Sequence, residues 1–171
     1  RFTVGESGGG RLRGVSLLRT TLAQIPLLGG ATRLAARLRE APDAPDYLGE
    51  SFELLEGDFA VGAGEIDART LRIRYRGHEA RLSGRMQLEG LGLDMRGELL
   101  LDAPLVAALS GRPASELVGR GPVRIPLARV TNTLSDPKVS LSAETLASVP
   151  QLLLLTTGAG RIVDKAIGKA G

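Results

Sequence analysis

Few residues in this chain could carry chemistry. Among 171 residues there is one histidine, His78, and no cysteine. That excludes thiolate metal sites, disulfides and cysteine nucleophiles, and leaves His78 as the only imidazole for acid–base work or metal binding. His78 precedes Glu79 in a stretch read as a turn, so it is expected to be a solvated turn residue rather than a ligand. Ser7 lies in Gly5-Glu6-Ser7-Gly8-Gly9, which matches G-x-S-x-G. A nucleophile elbow needs a strand before it, a helix after it and a histidine partner, and a glycine-rich stretch offers none of these. Gly62/Gly64 and Gly158/Gly160 lack the third glycine of a dinucleotide fingerprint. Gly168-Lys169 lacks the upstream glycine and the following hydroxyl of a phosphate loop. No catalytic residue, cofactor or metal is expected, and the chain is read as a non-enzyme.

Composition narrows the partners. Aromatic residues make up 3% of the chain, too few for the stacking platforms of single-strand nucleic-acid binders. Lys and Arg number 22 against 19 Asp and Glu, a net +3. The arginines are interleaved with acids rather than clustered, which argues against duplex binding. No nucleic-acid partner is expected. Hydrophobic residues reach 43%, enough for one well-filled core.

The elements that build this core can be read along the chain. Residues 1–14, rich in glycine, have a linker's composition. Residues 15–40 are expected to form two helical pieces, with Leu18, Leu22 and Ile25 on one stripe and Ala31, Leu34, Ala35 and Leu38 on the next. Pro26 and Gly29-Gly30 divide them. From residue 50 the hydrophobic period changes from 3.6 to 2, starting with Phe52, Leu54, Phe59 and Val61. Ile66 and Ala68 lie on one parity and Leu71, Ile73 and Tyr75 on the other, which implies a β-bulge near Arg69-Thr70.

The following hairpins can be registered by arithmetic. A Gly77-His78 loop sets Tyr75 opposite Ala80 and Ile73 opposite Leu82. A Glu89-Gly90 loop sets Leu88 opposite Leu91, Met86 opposite Leu93, Arg85 opposite Asp94 and Arg81 opposite Glu98. The result is an antiparallel meander over roughly 50–102. One face carries Leu71, Ile73, Tyr75, Leu82, Met86, Leu88, Leu91, Leu93, Met95, Leu99 and Leu101. Gly84 and Gly97 fall on this face, where a missing side chain allows close approach or bending. The other face carries the charges, including Arg72, Arg74 and Arg76, which are read as solvated.

Residues 103–119 are expected to be helical, with Pro104 in the first turn and Leu105, Val106 and Leu109 as the apolar stripe. Short strands follow over 122–141, around Ser135-Asp136-Pro137, and a final helix over 142–170. Between Glu144 and Arg161 lie 16 uncharged residues, fewer than the about 20 that a bilayer span needs. The fold class is therefore α+β and mainly β: a curved antiparallel meander with an apolar concave face, flanked by N-terminal and C-terminal amphipathic helices. Residues 15–171 make one domain.

Several motifs add a resemblance. Phe52-Glu53-Leu54-Leu55-Glu56-Gly57-Asp58-Phe59-Ala60-Val61, Gly64-Glu65-Ile66, Leu71-Arg72-Ile73 and Ala80 to Leu88 are similar in order to the C-terminal region of AsmA-like proteins of Gram-negative bacteria. The most specific piece is Val130-Thr131-Asn132-Thr133-Leu134-Ser135-Asp136-Pro137-Lys138-Val139. It resembles that family's Gly-Thr-Leu-Ser-Asp-Pro-Lys-Val signature, with Asn132 where glycine is more usual. Asparagine tolerates positive φ better than most residues. The resemblance covers about 120 residues. It implies the periplasmic part of an inner-membrane-anchored protein whose apolar β-groove carries phospholipid in outer-membrane biogenesis. Phospholipid would be the partner, with a membrane or envelope protein possible as a second one. The eleven aliphatic-face residues above would line the groove. The alternative is a structural capping or docking domain that closes the groove and binds a partner protein.

Overall fold

The computed structural model describes residues 2–11, 17–25, 47, 51–110, 121–133 and 136–148. It is mainly β. Among the described residues, seven strands form one open antiparallel meander, each pairing with its sequence neighbour: β1 (Phe2–Arg11), β2 (Ser51–Gly62), β3 (Glu65–Tyr75), β4 (His78–Gln87), β5 (Gly92–Leu101), β6 (Val123–Thr133) and β7 (Asp136–Ser140). Short helices accompany them: α1 (Leu17–Ala23), α2 (Ala103–Ser110) and α3 (143–148).

Pairing places the apolar residues in five rows across one face. From one end of the strands to the other, the rows through β2–β6 are Val61-Ile66-Met86-Leu93-Asn132, Phe59-Ala68-Gly84-Met95-Val130, Gly57-Leu71-Leu82-Gly97-Leu127, Leu55-Ile73-Ala80-Leu99-Ile125 and Phe52-Tyr75-His78-Leu101-Val123. The β4–β5 register is the one expected from turn chemistry, with Met86 opposite Leu93, Arg85 opposite Asp94 and Arg81 opposite Glu98. The expected bulge is also present. Asp58 pairs with Thr70 and Phe59 with Ala68, so Arg69 is the extra residue. A second irregularity, between Phe52 and Leu54, turns Leu55 rather than Leu54 toward the core.

Three expectations need correction. The β3–β4 loop is Arg76-Gly77, not Gly77-His78, so Tyr75 pairs with His78, Ile73 with Ala80 and Leu71 with Leu82. The shift is two residues and preserves every side chain's face. Gly77 takes φ 77° in the turn, and a Cβ there would lie 2.6 Å from the Tyr47 ring. Second, His78 is buried, at 3% exposure, because the shift moves it from the loop into the inward row. Third, residues 2–11 are not a linker but an edge strand on β2, with an irregularity between Gly5 and Gly10. Ladder pairing uses backbone groups, which glycine supplies as well as any residue.

The helices begin as their sequences suggest. Leu18 and Leu22 in α1 and Ile25 just past its end are buried together. Gln24 Nε2 donates to the Val139 carbonyl, tying the end of α1 to edge strand β7. The expected second piece, over 31–38, lies outside the described residues. α2 starts after Asp102, whose carbonyl accepts from Val106 N–H at 3.0 Å, with Pro104 in the first turn as expected. Its expected continuation to residue 119 is outside the described residues. Ser142 caps α3 by accepting from Thr145 N–H at 3.1 Å. The rest of the expected helix to 170 lies outside them too. No helix among the described residues is long and apolar enough to cross a membrane.

Candidate functional site

The two faces of the sheet are chemically separate. On the charged face, Glu79 organises the centre. Its carboxylate accepts from Arg72 at 2.8 Å and Arg81 at 2.7 Å, with Arg74 at 4.0 Å. The chain of ion pairs continues from Arg72 to Glu56 at 3.8 Å, from Arg81 to Glu98 at 3.8 Å and from Glu98 to Arg124 at 3.2 Å. It spans β2 to β6. Glu79 is buried, and burial alone would raise its pKa. Hydrogen bonds and charge from Arg72 and Arg81 outweigh that and hold it below the usual value. The Arg72 and Arg81 guanidinium groups, opposite each other in register, are bridged by this carboxylate rather than left to repel. Arg74 and Arg76 are exposed, as the sequence suggests. This face holds itself together electrostatically. Among the described residues no three His, Asp or Glu side chains gather as a metal would require.

The apolar face is graded along its strands. The row through Tyr75 and Leu101 is sealed, with both residues and Phe52 buried. His78 stacks on Tyr75 at 4.8 Å and 7°. Burial pushes the His78 pKa down to about 4, only partly countered by its contact with the Arg76 carbonyl. Burial likewise pushes the Tyr75 hydroxyl up to about 12, and that hydroxyl has no hydrogen-bond partner among the described residues. At the opposite end the row opens outward. Ile66, Met86 and Leu93 are half-buried, Val61 is 70% exposed, and Leu88 and Leu91 in the β4–β5 turn are 46% and 45% exposed.

Between these ends lies a cavity of about 150 Å³. Leu17 of α1 covers it. Its floor includes Leu55, Phe59, Ala68, Leu71, Leu82, Met86 and Met95, and every lining side chain is apolar. Gly57, Gly84, Gly97 and Ala68 fall in two adjacent rows of the sheet, and of these Ala68 lines the cavity. At Gly97 a Cβ would lie 1.9 Å from the Arg81 carbonyl oxygen, and at Gly84 2.3 Å from that of Asp94. Gly84 and Gly97 thus serve close strand contact.

Of the eleven residues expected on this face, Leu71, Ile73, Tyr75, Leu82, Met86, Leu93, Met95, Leu99 and Leu101 share it. Leu88 and Leu91 lie beyond the paired strands, in the turn. Only Leu71, Ile73, Leu82, Met86, Leu93 and Met95 line the cavity. Leu99 and Leu101 are wholly buried in the core instead. Sequence reasoning missed Leu17, Leu55, Phe59, Ile66, Ala68 and Val130 as lining residues. Phe59, Ile66 and Ala68 carried the alternation signal, but Leu55 and Leu17 depended on a bulge and on where α1 docks. The Asp136-Pro137 motif starts β7, and Pro137 joins the cavity wall. Asn132 takes φ 74°, and its Nδ2 donates to the Asp136 carbonyl at 2.7 Å and carboxylate at 3.0 Å. No family model, curated protein or solved structure matches this chain.

Proposed function

We propose that this domain is a non-catalytic lipid-binding module that receives the end of a phospholipid acyl chain between α1 and a curved sheet whose apolar side is concave. The carrying observation is the cavity of about 150 Å³ with an all-apolar lining. An apolar cavity of that size stays dry and admits a hydrocarbon ligand about as large as benzene. It therefore suits the tip of a chain rather than a whole one, with further methylenes running past Met86 and Leu93 toward the open end. Each methylene withdrawn from water contributes about 0.8 kcal/mol, so affinity needs no polar recognition. The sequence resemblance to AsmA-like proteins supports placing the module in the periplasmic part of an inner-membrane-anchored protein that conducts phospholipid in outer-membrane biogenesis.

The sealed row through Phe52, Tyr75 and His78 favours a second role on the same fold, as a structural cap that closes one end of a longer groove. Crosslinking from α1 tests that role, since a captured envelope protein would support it.

Native mass spectrometry of the purified chain tests the lipid reading. The expected result is bound fatty acid or phospholipid. Ala68→Leu, which fills the cavity from its floor, should reduce occupancy at least tenfold while the chain stays folded. A chain that carries no lipid and takes up none on incubation would overturn the reading.

A further inference from the structure

Val61, Leu88 and Leu91 are the large apolar side chains most exposed among the described residues, and all three sit at one end of the sheet. Val61 is the last residue but one of β2, and Leu88 and Leu91 belong to the β4–β5 turn. The two turns are joined, because Leu88 N–H donates to the Gly64 carbonyl at 2.8 Å. Gly62, Gly64 and Gly90 have open space where a Cβ would project, so the joined turns protrude. Their backbone is unusual as well. Ala63 and Leu91 hold φ 51° and 52°, a left-handed conformation that favours glycine. Leu91 holds it with a side chain nearly half exposed, so packing within the domain gives little in return.

We infer that this tip inserts into the hydrocarbon boundary of a lipid bilayer. The anchors are aliphatic. Protein-binding hot spots favour Trp, Tyr and Arg set in pockets, whereas here valine and leucines project from two narrow turns. The tip is also continuous with the cavity. Val61 pairs with Ile66, Ile66 with Met86 and Met86 with Leu93, and the last three line the cavity wall. A chain leaving a bilayer at the tip would cross only aliphatic surface. Nearby charge is not cationic: Arg85 lies 3.8 Å from Glu65 and pairs with Asp67 across the strands, and Glu89 sits in the β4–β5 turn. The attraction therefore comes from apolar burial and not from anionic headgroups. This inference goes beyond the acyl-binding reading, because the tip can dock whether or not the cavity is filled.

The test is flotation of the intact chain with phosphatidylcholine vesicles. The chain should float, and about 0.5 M salt should not release it, since screening weakens only charge attraction. Full burial of a leucine is worth roughly ten- to a hundredfold in partitioning. With half of each side chain already covered, Leu88→Ser and Leu91→Gly should each weaken binding about five- to tenfold. Leu91→Gly relaxes the backbone, so it should melt no lower than the parent while binding vesicles less. Several results would overturn the inference: a parent chain that stays in solution, variants that float like the parent, or binding that requires anionic lipid and is lost in salt. So would self-association abolished by Leu91→Gly, which would make the tip a seat for a second copy. Uptake of monomeric fatty acid, followed in parallel, reports on the cavity alone, so its failure leaves the tip's test intact.

Discussion

Lowering the pH should destabilise this domain through one side chain, His78. In the unfolded chain its imidazole protonates near 6.5, whereas in the fold burial beside Tyr75 holds the pKa at about 4. The folded form thus resists a proton that the unfolded form accepts. Stability is complete above the unfolded pKa, falls as pH drops below 6.5 and is fully lost as a contribution below about 4. The drop from 6.5 to about 4 corresponds to about 3 kcal/mol in total, and about 2 kcal/mol of it is lost between pH 7.5 and pH 5. For a domain of this size that is a fall in Tm of roughly 4–8 °C. Thermal unfolding followed by circular dichroism across this range measures it. His78→Phe, which keeps a ring against Tyr75, should flatten the curve between pH 7.5 and pH 5. The reasoning is refuted if the parent's Tm is constant over that range, or if the His78 ring titrates near 6.5 by NMR. Either result would return His78 to a solvated loop and move the β3–β4 register with it.

Other substitutions probe the remaining parts. Gly97→Ala should cost about 3 kcal/mol or prevent folding, because its Cβ meets the Arg81 carbonyl at 1.9 Å and backbone cannot yield as a side chain does; chemical denaturation measures the loss. Glu79→Gln should cost about 1–2 kcal/mol at neutral pH, a value discounted because Arg72 and Arg81 are 39% and 49% exposed. The stability that Glu79 contributes, with its pKa lowered, should fade as pH falls through the carboxylate range, so the gap between parent and Glu79→Gln narrows in acid. Asn132→Ala should destabilise by about 1 kcal/mol in the same assay, through strain at φ 74° and loss of both bonds to Asp136, and Asn132→Gly by less.

Much of this architecture was legible because alternation is a strong signal when one face is buried. The β4–β5 register followed from Glu89-Gly90 and was checked by Arg81 opposite Glu98 on the far face. The bulge at Arg69 showed itself as a change of parity between Ala68 and Leu71. The positive φ at Asn132 matched the residue's own tolerance. The β3–β4 loop was harder. Gly77-His78 and Arg76-Gly77 differ by two residues in pairing, so both keep apolar residues facing apolar ones. The contact that separates them is Tyr47 over Gly77, thirty positions away in sequence. Strand β1 was missed because glycine carries no periodicity. The cavity was unreadable for a different reason: it depends on residues of β2 to β7 meeting on one face, and on the docking of α1, whose Leu17 joins the lining.

The claim that the covered apolar face receives an acyl chain is tested most directly by methyl NMR during titration with dihexanoyl phosphatidylcholine below its micelle concentration. Saturable shifts are predicted at Leu71, Leu82, Met86 and Leu93, with Ala60 and Ala128 on the other side of the sheet unchanged. Absence of saturable shifts at those four residues, or shifts scattered over the charged face, would contradict it.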